Sequence, residues 1–256
     1  MTMTAFIQAV ELFENGDFEE ALQQFSALAE HASDPREKAG FVLDQANCYA
    51  HLGRDEQAEC CLAEAKSLAG TDQAGRLIAE LGHACFLLER KRFNEALAVL
   101  DLLRDADCGL LNQSDSLALR RDIGLQRSFV LIQLNRYREA LPDLEAICDT
   151  QPDGEALSLL ARCHLELKQH ATAEQSFLLA AQYGIPDESR AAFHYYCGRN
   201  YYELGNFGKA KQEFVLSAQA GTTPAPRAQV YEMLAATCRL LGGHEDAARY
   251  AAMGAA

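Results

Sequence analysis

Seven alanines recur along the chain in matching surroundings: Ala21, Ala58, Ala96, Ala140, Ala173, Ala210 and Ala247. Their separations are 37, 38, 44, 33, 37 and 37 residues. Each closes a short segment of one design, such as NGDFEEAL (15–22), LNRYREAL (134–141) or LGNFGKAK (204–211), set between two apolar stretches. Twelve residues before the alanines stand Ala9, Ala46, Ala84, Ser128, Ala161, Gly198 and Ala235, all small. Four residues after them stand Phe25, Leu62, Leu100, Leu144, Phe177, Phe214 and Ala251, large and apolar in six cases. Two helices that cross closely each need a small residue at the crossing, and a large neighbour fills the adjoining hole. A period in this range therefore predicts stacked two-helix units. The Gly or Asn inside several of the segments suits the left-handed backbone at a helix end.

Composition agrees with helix. The chain has 256 residues, only 6 prolines, 49% hydrophobic residues, and no alternating Val/Ile/Thr runs that would argue for sheet. The net charge is −14, with 22 acids and 12 bases in residues 1–128 against 15 and 11 in residues 129–256. So acidic a surface repels phosphate backbones, and no nucleic-acid partner is expected. The basic patch around Arg120 and Arg127 is too small to reverse that. Nine cysteines, an odd number sitting mostly in apolar helical patterns, read as reduced thiols and a cytoplasmic location. The N-terminus has no base before Arg36 and lacks the pattern of a signal peptide, and no stretch is apolar enough to span a bilayer.

The small residue, the LGxFxxA turn and the large residue after it resemble tetratricopeptide repeats, most closely in YYCGRNYYELGNFGKAKQEF (195–214). The resemblance covers nearly the whole chain. It implies an all-α, right-handed α-solenoid of seven helix–turn–helix repeats, approximately 2–34, 36–70, 73–106, 117–150, 154–184, 188–221 and 225–254, forming a single domain. The sequence departs from the family in its longer period and its scarce boundary prolines. An insertion at Asp105–Arg121 accounts for the longest separation and is expected to hold a loop or an extra turn.

In that family the first helices line a concave groove that grips peptides. The resemblance places Phe6, Val10, Phe13, Leu43, Asn47, Leu81, Leu88, Leu125, Phe129 and Ile132 along an apolar stretch of it. Arg162, Tyr195, Arg199, Tyr202 and Arg239 follow in a polar stretch. The implied ligand is a protein or peptide with an apolar segment, an acidic segment or both. Two plainer readings compete. Arg162–Glu166 and Arg199–Glu203 are spaced as i,i+4 surface pairs, which contribute only ~0.2–0.5 kcal/mol each. The apolar stripe is equally the pattern of a core or of a homo-oligomer contact. The family variant that holds a terminal carboxylate with Lys and Asn is a poor match, because Phe6, Val10 and Leu43 occupy its slots and only Asn47 fits.

Nothing in the sequence spells out catalysis. LGGHEDA lacks the Lys and Ser/Thr of a phosphate loop, adjacent Cys60 and Cys61 lack a CxxC partner, and Cys163–His164 are sequence neighbours that do not face each other on a helix. No metal, no cofactor and no enzymatic activity are expected. The functional expectation is a non-catalytic scaffold or adaptor, with a chaperone for a particular client or a peptide-sensing receptor as the alternatives.

Overall fold

A computed structural model describes residues 2–104, 113–220 and 227–255. Among these residues there are fourteen helices and no strand. Contacts group the chain into two compact units, Met1–Val130 and Leu131–Ala256. The first contains α1 (Thr2–Glu14), α2 (Phe18–His31), α3 (Pro35–His51), α4 (Asp55–Ala69), α5 (Gln73–Glu89), α6 (Phe93–Arg104) and most of α7 (Gln113–Gln133). The second contains α8 (Tyr137–Thr150), α9 (Gly154–Glu166), α10 (His170–Tyr183), α11 (Asp187–Glu203), α12 (Phe207–Gln219), α13 (Arg227–Leu240) and α14 (His244–Ala255).

The turn within each pair is the same seven times. The residue five before each marker alanine has a left-handed backbone: Gly16, Gly53, Lys91, Asn135, Lys168, Gly205 and Gly242, with φ from 56 to 87°. Its N–H donates to the carbonyl three residues back, and the next N–H donates to the carbonyl five residues back, as in Gly205 to Tyr202 and Asn206 to Tyr201 (3.0 and 2.8 Å). These paired bonds satisfy carbonyls that a helix end otherwise leaves open. Lys91 and Lys168 adopt this backbone despite their Cβ, a conformation that costs about 1–2 kcal/mol outside glycine. At three of the joints between pairs the caps are aspartates. Asp34, Asp72 and Asp153 accept from the N–H groups of Arg36, Gly75 and Ala156 at 2.8–3.0 Å.

Packing follows the small-against-large pattern. Six of the marker alanines are 0% exposed and Ala247 is 3% exposed. The small residues twelve before them are all buried. Among the large residues, Phe25, Leu62, Leu100, Leu144, Phe177 and Phe214 are buried, while Ala251 is exposed. Gly198 shows why the slot must be small, since a Cβ there would lie 2.7 Å from the ring of Phe214, itself fully buried. In the first unit α1 packs on α2, α3 on α4 and α5 on α6, and each pair meets the next through α2–α3 and α4–α5. In the second unit α9–α10, α11–α12 and α13–α14 repeat the arrangement, joined through α8–α9, α10–α11 and α12–α13. The first helices also touch one another, α3 with α5, α9 with α11 and α11 with α13.

Of the expected insertion, residues 105–112 lie outside the described residues. From Gln113 onward the chain is helical, so α7 reaches 21 residues against 12 to 15 for the second helices α2, α4, α6, α8, α10, α12 and α14. Two stability measurements follow. Chemical denaturation of Gly198→Leu should show a loss of ~1–3 kcal/mol from overpacking against Phe214; an unchanged midpoint would mean the crossing is loose. Gly205→Ala should lose about 1 kcal/mol, and Lys168→Gly should gain up to about 1 kcal/mol as relieved strain exceeds the added freedom of the unfolded chain.

Candidate functional site

In the first unit, the apolar stripe is partly core. Phe6, Val10, Phe13 and Leu43 are half-buried and pack against a cluster containing Phe25, Phe41 and Val42. The Phe6 ring lies 6.3 Å from Phe25 and 5.9 Å from Phe41. Phe13 meets Phe18 and His51, which stack on each other at 4.5 Å. Leu81 and Leu88 are half-buried, and Asn47 is exposed. Leu125 is 9% exposed, and Ile132, in the second unit, is 1% exposed. Those two side chains pack chiefly into the interior. Phe129, at 38% exposed, does present surface.

The polar stretch converges in the second unit. Arg199 of α11 donates to Glu166 of α9 at 2.6 Å, with both side chains mostly buried (26% and 19% exposed). The in-helix pairs suggested by the spacing are not the ones formed, because the carboxylate that Arg199 meets is one repeat back. Arg162 of α9 lies over the ring of Tyr196 at 4.6 Å, and Arg199 is 5.8 Å from the same ring and 6.0 Å from that of Tyr195. Among the described residues, the Nε of Arg162 is buried without a hydrogen-bond partner. Tyr137, at the start of α8, completes the electrostatic cluster, and its hydroxyl donates to Asn135 at 2.6 Å. Two guanidinium groups, three phenols and the carboxylate of Glu166 thus share a half-buried patch, and Glu232 of α13 is close enough to act on Tyr195.

Burial dominates the titration of this patch. It pushes the phenols of Tyr137, Tyr195 and Tyr196 above the usual tyrosine range, with Arg162 and Arg199 opposing the rise at Tyr137 and Tyr196, and Arg199 opposing it at Tyr195. For Arg199, burial disfavours the charge, but the hydrogen bond and proximity of Glu166 outweigh it and the pKa is raised. The phenols therefore remain neutral donors and Arg199 a permanent cation throughout the physiological range.

Two expected groove residues stand apart. Tyr202 turns to Phe207 at 5.5 Å, and Arg239 is exposed on α13. Tyr196 and Tyr137 were not among the expected site residues, and Glu166, expected beside Arg162, meets Arg199. The available signal was the period itself, because Arg162 and Tyr196 are 34 residues apart and Glu166 and Arg199 are 33 apart. Residues about one repeat apart become lateral neighbours. Glu19–Arg54, Asp55–Arg90 and Glu59–Arg92 obey the same rule, at separations of 35, 35 and 33.

The groups with possible chemistry are otherwise occupied. Burial pushes the Cys163 thiol up to about 12, and His164 bonds Gln169 at 2.6 Å. Among the described residues, no group of three or more His, Cys, Asp or Glu is placed to hold a metal ion, and no helix is long and apolar enough to cross a membrane. The Arg199–Glu166 link should appear in a double-mutant cycle with Arg199→Gln and Glu166→Gln as a coupling of ~1 kcal/mol, reduced only weakly by salt because the pair is shielded. A coupling indistinguishable from zero would mean that the two side chains are solvated apart.

A profile described as tetratricopeptide repeat matches residues 8–70 and 130–189. No curated protein resembles the sequence closely enough to match. Several solved structures share the fold. A signal transduction ATPase with a tetratricopeptide repeat sensor, from Pyrococcus horikoshii, superposes with a TM-score of 0.73 at 18% identity, over 98% of this chain and 41% of that one. The Cut9–Hcn1 hetero-tetramer of the APC/C gives 0.72 at 15% identity, over 98% of this chain and 45% of that one. A tetratricopeptide repeat protein from Parabacteroides merdae gives 0.64 at 15% identity, over 99% and 91%.

Proposed function

Because the chain is a tetratricopeptide repeat protein, a family of generally non-catalytic protein–protein interaction scaffolds, we propose that it binds an acidic polypeptide segment at the Arg162–Arg199–Tyr196 patch. The observation that carries this reading is Arg162. Its guanidinium is held against Tyr196, its Nε is buried and unpartnered, and the nearby carboxylate of Glu166 is already engaged by Arg199. The Arg162 side chain is only half-buried, and a guanidinium stacked on a ring without an ion-pair partner among the described residues favours a ligand carboxylate that reaches its exposed edge. The aromatic wall adds contact area with few rotamers to freeze, and Tyr and Arg are the residue types most often dominant in interface energy.

The setting sharpens selectivity. The protein carries a net charge of −14, so its long-range field repels acidic chains. An acidic segment is retained only where it reaches the two guanidinium groups, and a segment with apolar residues beside the acid gains contact with the rings of Tyr195 and Tyr196. This reading makes the protein an adaptor rather than a folding chaperone or a receptor. A chaperone would suppress aggregation of unfolded apolar clients, and a receptor would compact in solution scattering on binding its peptide.

The test is a peptide array graded in charge and aromatic content, probed with the native chain and with Arg162→Glu. The native chain should retain acidic peptides, with affinity falling as salt rises. Arg162→Glu should bind them at least about tenfold more weakly, the ~1.4 kcal/mol typical of a lost charge-assisted contact, while keeping its helical content and melting temperature. Equal binding by the two proteins would rule out the patch as the site.

A further inference from the structure

A second site with the opposite preference lies in the first unit. A cleft of about 380 Å³ opens beside α1 and α3, lined by Met3, Phe6, Arg36, Phe41 and Asp44 together with Glu37 and Gly40. Asp44 is half-buried in its wall and makes no hydrogen bond or ion pair among the described residues. The nearest candidate cation is committed elsewhere, since Arg36 pairs with Asp72 at 2.9 Å and is otherwise solvent-exposed (68%). Glu37, on the same helix, adds a second negative charge, and α1 contributes no ionisable side chain to the lining. The result is a carboxylate in a cleft with an aromatic and thioether wall, in the more acidic half of the chain, with no ion-pair partner of its own among the described residues.

We propose that this cleft binds a cationic side chain, a lysine or arginine carried by a partner polypeptide, with Asp44 as the counter-ion and Met3, Phe6 and Phe41 as the wall for its methylenes. The chemistry of the lining selects this occupant. A long basic side chain is apolar along its stem and charged at its tip, and it lies well along aromatic rings with the charge beyond them. An acidic or purely apolar group would leave Asp44 unpaired or repelled. The wall is ordered in advance by the contacts of Phe6 with Phe25 and Phe41, so little freedom is lost on binding. Burial raises the Asp44 carboxyl to about 6, which leaves it mostly ionised at pH 7.5 and destabilised by its own charge. Cys48, one turn further along α3, lies within the influence of that charge and is itself buried.

The sign of the pH effect follows. A folded-state pKa above the unfolded value means that the native protein holds the proton more tightly, so Asp44 weakens the fold as pH rises from about 4 to about 6. Asp44→Asn should therefore melt higher than the native chain at pH 7.5 and equally at pH 4. That is the signature of a residue kept for binding at the expense of stability.

The probes are acetyl-Leu-Arg-Leu-amide and its neutral citrulline counterpart, followed by NMR shift changes at Met3, Phe6, Gly40 and Phe41. The native chain should prefer the arginine peptide at least fivefold at pH 7.5, and the preference should fade as pH drops below about 6. Asp44→Asn should bring the two peptides to within twofold. Arg162→Glu should bind them as the native chain does, which separates this site from the acidic-segment patch. Absence of binding, equal binding of the two peptides by the native chain, or an arginine preference that survives Asp44→Asn would each overturn the proposal. The wild-type pH series needs no variant and decides the matter even if the substituted protein folds poorly.

Discussion

Close approach between paired helices is the constraint on which everything else rests. It is possible only because alanine, serine or glycine occupies each crossing, and in six of the seven pairs a phenylalanine or leucine fills the space alongside. Gly198 beneath Phe214 is one such crossing, where even a methyl group has no room. The turn that reverses the chain is set by the same economy of space. One left-handed residue and two backbone hydrogen bonds close the first helix and release the second within three residues, seven times over. Where that residue is Lys91 or Lys168 the strain is carried locally, because the packing on both sides leaves the backbone no alternative.

A stack of such pairs imposes a second regularity. Side chains about one repeat apart in sequence stand side by side on adjacent pairs, and much of the protein's electrostatics is arranged along that direction. Glu19 meets Arg54, Asp55 meets Arg90, Glu166 meets Arg199, and Lys211 meets Asp246. Exposed pairs such as Glu19–Arg54 contribute little individually, yet they tie each repeat to its neighbour where a one-dimensional stack gains its cohesion. The patch around Arg162 belongs to the same family of lateral contacts, with the difference that its guanidinium meets a ring.

The two proposed sites follow from what these contacts leave over. In the second unit Glu166 is taken by Arg199 and Arg162 retains an unpartnered buried nitrogen. In the first unit Arg36 is taken by Asp72 and Asp44 retains an uncompensated carboxylate. Each is a charge that folding has partly desolvated without pairing, and each lies beside aromatic rings. That combination costs stability in the isolated protein and favours a ligand of opposite sign.

The helical class, the pairing of helices and the identity of the packing residues were legible in the chain, because steric demands repeat at fixed spacing and only a few residue types meet them. Burial of Ala21, Ala96 and Phe214 could be read directly from period and size. The boundary between groove and core is not written in that spacing, since Phe6 and Phe13 stand at a helix face that is half core and half surface, and Leu125 and Ile132 fall on the core side. A small rotation of a helix moves a side chain across that boundary without altering the pattern of residues. By itself, then, the sequence determined the repeat and its nesting. Only the tertiary structure decided that Arg199 reaches Glu166 in place of Glu203, that Tyr196 lies against Arg162, and that Asp44 has no hydrogen bond or ion pair among the described residues, because long charged side chains have several partners within reach and the angle between neighbouring helices makes the choice.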